Sequence, residues 1–145
     1  MRWIVVLALV FTLVFAGHQS NAKTSRDCTV WFYRVDHRTP LRTRERRIIR
    51  LVRCVFGALG IRDEVGTALI VIDRESGFAP WAHNLSSDAR GLFQHLGSYW
   101  PSRAAALPPE EFPRHPQSSA FNARANTWAA ARMVRAGGWG AWTTV

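Results

Sequence analysis

The chain has 145 residues, 48% of them hydrophobic and 20% charged, which supports one domain with an adequate core and leaves no second domain to place. Nineteen lysines and arginines against ten acidic residues give a net charge of +9, a balance that favours polyanionic partners. Two cysteines without a CxxC pair, and five scattered histidines (His18, His37, His83, His95, His115), argue against a metal site, and no cofactor motif is present.

In chain order, Met1-Arg2 gives a short positive start and residues 3–16 form an almost unbroken apolar run. Ser20-Asn21-Ala22 then supplies a small-x-small cleavage site. The run is short for a membrane span and suits a secretory signal over residues 1–22, cut after Ala22. Cleavage after Ala16 and an uncleaved N-terminal membrane anchor are the alternatives. No second long apolar run follows, so a secreted, periplasmic or cell-wall-associated protein with no stable membrane span is expected. Export also makes nucleic acid an unexpected partner. Residues 23–38 form a mature N-terminal segment in which Thr-Val-Trp-Phe-Tyr (29–33) reads as a short strand or an apolar patch. Export further suggests a disulfide between Cys28 and Cys54, two separate thiols being the alternative.

Residues 39–145 make the domain. Thr39 reads as an N-cap with Pro40 at the first helical position. Leu41, Ile48, Val52, Val55 and Leu59 follow as one apolar stripe, with arginines on the other side and Gly60 as the stop. Those arginines either bind a polyanion or simply solvate one helix face. A second helix covers 63–75 through Val65, Ala68, Leu69 and Ile72, ending at Gly77 and Pro80. Residues 79–97 carry turn residues and little periodicity, and read as a loop with a small hairpin. A short helix follows Ser98 with Pro101 in its first turn, and 107–116 is a proline-interrupted loop. The last helix is expected over Ser118–Ala136, burying Phe121, Ala125, Trp128, Ala129 and the stem of Arg132. Trp139-Gly-Ala-Trp142 is expected to fold back as an aromatic clamp.

Glu75 continues the second helix's stripe three residues after Ile72, so it is expected to face inward at the last turn. Burial and the negative end of the helix dipole both favour the proton-bearing form, as a general acid requires. The competing reading is a solvated surface carboxylate. Asp73 and Arg74 should point away.

The segments on either side of that loop carry a resemblance. Glu75-Ser76-Gly77-Phe78-x-Pro80, with Ala89-Arg90-Gly91-Leu92-Phe93-Gln94, resembles the first two motifs of the soluble lytic transglycosylase and goose-type lysozyme superfamily. Phe121-Asn122-Ala123 is similar to its next feature, and Trp139-Gly140-Ala141-Trp142 to the ending of small exported members; the likeness spans roughly residues 63–142. It implies a mainly α (α+β), lysozyme-like fold with a small β-hairpin or extended turn beside the cleft. It also implies a monomeric, cofactor-free enzyme acting on peptidoglycan at an anionic cell wall. The bond cut would be the β-1,4 link between N-acetylmuramic acid and N-acetylglucosamine. Glu75 matches the catalytic acid, Gln94 the glutamine of the cleft floor, Ser76 the serine beside the acid, and Asn122 an asparagine reaching toward the site wall. Gly91 fits a tight approach of its segment to Glu75. Tyr99, Trp100, Trp139 and Trp142 either stack on sugars or pack internally. Asp88 departs from the usual small residue, and is either a water-positioning base or a turn residue. His95 replaces a common apolar residue. The Ala-Tyr-Asn-Ala-Gly motif of large transglycosylases has no match, which leaves open transglycosylase, goose-type muramidase and non-catalytic wall-binding module.

Overall fold

The computed structural model describes Cys28 and residues 35–109, 111–112 and 119–142. The signal segment, the 29–33 apolar run and His115 lie outside these residues. Four α-helices are described: α1 (Leu41–Ala58), α2 (Val65–Ser76), α3 (Trp100–Ala105) and α4 (Ala123–Gly137). A three-stranded antiparallel sheet, β1 (His83–Asn84), β2 (Ala89–Arg90) and β3 (His95–Leu96), sits between α2 and α3 in the chain. The chain is therefore mainly helical with a small sheet.

α1 starts at Pro40, whose carbonyl accepts from Thr43 and Arg44 N–H at 2.9 Å each. Thr39 is not the cap. Its Oγ1 accepts from Asp36 N–H and donates to Asp36 Oδ1, both at 3.0 Å, closing the turn ahead of the helix. Pro40 has a helical φ of −53° but an extended ψ of 141°, so the boundary falls one residue later than expected. The helix ends in a Schellman arrangement: Ile61 N–H reaches Phe56 O, Gly60 N–H reaches Gly57 O, and Gly60 takes φ 74°. A 3₁₀ turn, Arg62–Glu64, then leads into α2.

Ile48, Val52 and Val55 are buried as the stripe requires, together with Leu51 and Phe56, whereas Leu41 in the first turn is 53% exposed. α1 packs on both α2 and α4. α4 is buried continuously from Ala123 to Ala131, alanines letting the neighbouring backbones come close on several sides. It starts later than expected because Asn122 caps it, its side chain accepting from Ala125 N–H at 2.9 Å. Phe121 therefore precedes the first turn; instead of being buried it is 37% exposed, its ring against His83. The Arg132 stem is exposed too, in a surface groove beyond the end of α1 with Leu59.

The aromatic clamp is present. Trp142 is buried and donates its indole N–H to Phe93 O at 2.9 Å, while Trp139 donates to Glu64 Oε2 at 2.7 Å. The two indoles meet edge to face at 5.4 Å. A disulfide joins Cys28 to Cys54 in α1, with Cα atoms 5.6 Å apart. Restricting a loop of that length in the unfolded chain stabilises the fold by roughly 3–4 kcal/mol. Urea unfolding of the Cys28→Ala, Cys54→Ala double variant is expected to show that loss; a midpoint equal to wild type would refute it. Among the described residues no helix is long and apolar enough to cross a membrane.

Candidate active site

α2 delivers Glu75 to its final turn. Gly77 stops the helix there in the left-handed conformation (φ 53°), its N–H on Asp73 O, and Arg44 donates to Gly77 O at 3.2 Å. Glu75 is half-buried, while Asp73 and Arg74 face solvent. It opens onto a cleft of about 220 Å³ shared with Gln94, His95, Arg103, Met133 and Trp142.

The opposite wall is the turn from β2 to β3. Gly91 takes φ 79°, and a Cβ there would stand 2.2 Å from Ala120 O and 2.3 Å from Asn126 Nδ2. Glycine is required, but for a close approach to the head of α4, not to Glu75. Asn126 is the hub of that approach. Buried completely, it accepts from Phe93 N–H at 2.9 Å and donates to Arg90 O at 3.0 Å and Ala120 O at 2.8 Å. Leu92 and Phe93 between these contacts are core. Gln94 follows at φ 47°, and its amide donates to Ala82 O (3.1 Å) and Gly91 O (2.9 Å). With both amide protons on backbone carbonyls, Oε1 is the polar atom this side chain can offer a ligand.

His95 and Arg103 complete the wall. The His95 Nε2 lies 3.1 Å from Asn126 O, which can only accept, so Nε2 carries the proton and Nδ1 accepts from Arg103 NH1 at 2.7 Å. Burial, reinforced by the Arg103 charge, lowers the His95 pKa from 6.5 to about 3. Burial also pulls the Arg103 pKa below its ordinary value. Unfolding therefore takes up a proton at His95 between pH 3 and 6.5. The stability it contributes is complete above about pH 6.5 and lost as pH falls toward 3, by up to about 1.4 kcal/mol per unit. Urea titrations across that range should show a shallower slope for His95→Gln, and an unchanged slope would refute the assignment.

Of the other residues expected at the site, Trp142 alone lines this cleft among the described residues. Ser76 Oγ donates to Ile72 O at 3.0 Å, a bond within α2, and Asn122 is the cap of α4. Tyr99 is 56% exposed with the Arg103 guanidinium 5.5 Å from its ring centroid. Trp100 and Trp142 are buried packing residues, Trp142 also walling the cleft. Asp88 lies in the β1–β2 turn at φ 57° and does not line this cleft. His83 Nε2 reaches its Oδ1 at 2.9 Å, and Arg90 donates to both its oxygens at 2.9 Å. These bonds hold its carboxyl below the usual carboxylate range, which makes it a weak base.

No family model, curated protein or solved structure matches the chain. The site has to be read from its own chemistry. It brings one half-buried carboxyl group, one amide oxygen and one guanidinium to a groove walled by an indole. Such a set offers a carboxyl group, a hydrogen-bond acceptor and a cation to whatever occupies the groove. Asn126 and Arg103 were not singled out in the sequence. Asn126 stands one turn after Asn122 in an otherwise alanine-rich helix, and Arg103 two residues after the helix-starting Pro101.

Proposed function

We propose that the chain is an exported peptidoglycan-cleaving enzyme of lysozyme-like architecture, a lytic transglycosylase using Glu75 as its single acid–base group. The observation that carries this reading is Glu75 and Gln94 facing one cleft from α2 and from the β2–β3 turn. Glu75 protonates the glycosidic oxygen between N-acetylmuramic acid and N-acetylglucosamine, and the leaving sugar departs with that proton. The acetamido oxygen of the substrate shields the positive charge at C1. Glu75, now a carboxylate, takes the proton of the muramyl 6-hydroxyl as that oxygen closes on C1, giving a 1,6-anhydro end. Gln94 Oε1 accepts a hydrogen bond from the sugar or its acetamido N–H. No second carboxylate is needed. The side-chain bonds on Asp88 therefore favour this route over the goose-type hydrolysis that would ask Asp88 to activate water. The arginine face of α1 would hold the enzyme to an anionic wall.

Digestion of purified sacculi followed by mass analysis of the muropeptides tests the reading. Anhydro ends, one water lighter than reducing ends, are expected. Reducing ends would move the assignment to a muramidase. Intact sacculi from folded protein would leave a cationic wall-binding module.

A further inference from the structure

Arg103 enters the cleft from α3 on the same side as His95, facing the volume that Glu75 opens onto. Its NH1 donates to His95 Nδ1, and the other His95 nitrogen is fixed on Asn126 O. The chain of contacts thus runs from the buried hub at Asn126 through an imidazole to a guanidinium. Because the acceptor is an uncharged ring nitrogen, it orients the guanidinium without neutralising it. Among the described residues Arg103 forms no ion pair, unlike Arg90 with Asp88 or Arg124 with Glu111. One of five N–H donors is used on His95, and the half-buried, charged guanidinium, also 5.5 Å from the Tyr99 ring centroid, lines the groove.

A carboxylate is the complement of such a fork. We propose that Arg103, positioned by His95, recognises a carboxylate on the glycan strand and so sets which strands the cleft accepts. This rests on the cleft being a glycan site. The strand offers two sources of that chemistry: the lactyl carboxylate exposed where stem peptides have been removed, and the carboxylates of the stem peptides themselves.

The test measures binding calorimetrically to the Glu75→Gln protein, which keeps the ligand intact, with and without Arg103→Gln. Four ligands are used: peptide-free and peptide-bearing glycan fragments, each with its carboxylates free or converted to methylamides. Methylamidation is expected to weaken binding about 10- to 100-fold in the Glu75→Gln protein, the scale of a charge-assisted hydrogen bond, and to have no effect once Arg103 is glutamine. If the effect is confined to peptide-free fragments, the lactyl group is the source; if to peptide-bearing fragments, the stem is. His95→Leu should narrow the preference, and His95→Asn, whose Oδ1 can stand near the place of Nδ1, should restore part of it. Thermal unfolding accompanies each variant, and Arg103→Lys, which keeps the charge, carries the comparison should Arg103→Gln fail to fold. Equal binding of free and blocked fragments by the Glu75→Gln protein, or a preference undiminished in Arg103→Gln, overturns the inference. Carboxylate-dependent binding by a wild-type protein that cuts no glycan would uphold it while removing the enzymatic reading.

Discussion

With Glu75 as the acid–base group of the proposed glycan cleavage, Glu75→Gln is expected to lower its rate by about 10²- to 10⁴-fold, the usual contribution of such a positioned group. Glutamine matches glutamate in size and helix propensity, and the site is half-buried near a helix end, so the change keeps the shape of the side chain and removes its capacity for acid–base exchange. The loss should appear in kcat, because the protonation is made only on the way to the transition state. Turnover within tenfold of wild type, in a variant that unfolds at the wild-type temperature, would remove Glu75 from the chemistry.

Asn126→Ala is expected to destabilise the fold by roughly 3–5 kcal/mol, well above the cost of an ordinary surface change. Three backbone groups lose their partner at once: Phe93 N–H, Arg90 O and Ala120 O. Bulk water does not reach these groups, since Asn126 and the adjoining Leu92 and Phe93 are fully buried. Asn126→Asp should be at least as harmful, because a carboxylate keeps the acceptor for Phe93 but sets an oxygen against two carbonyls. Urea unfolding measures both, and a loss below about 1 kcal/mol would contradict the role given to this residue.

Elements governed by local signals were legible in the sequence. Period and stop residues placed α2 and its glycine end, the turn-rich stretch gave the hairpin region, and Pro101 marked α3. Helix starts were less legible. Thr39 and Ser118 both have the chemistry of a boundary, yet Pro40 and Asn122 take that place, because which backbone N–H groups need a cap depends on tertiary packing. Site roles divided in the same way. Glu75 and Gln94 line one cleft, each placed at a point fixed by its own turn. Ser76 and Asn122 are turned to neighbouring backbone instead, as short polar side chains beside a helix end tend to be. Arg103 and Asn126 left no local mark, their importance arising wholly from what stands opposite them.

The indole pair at the chain's aromatic clamp gives the groove an optical reporter. Trp142 walls the cleft and lies in ring contact with Trp139, so an occupant that displaces solvent beside it changes the polarity its excited state senses. Ligand entry is therefore readable as a shift in intrinsic emission without any attached dye. Replacing Trp142 by phenylalanine identifies that signal among the seven tryptophans of the sequence.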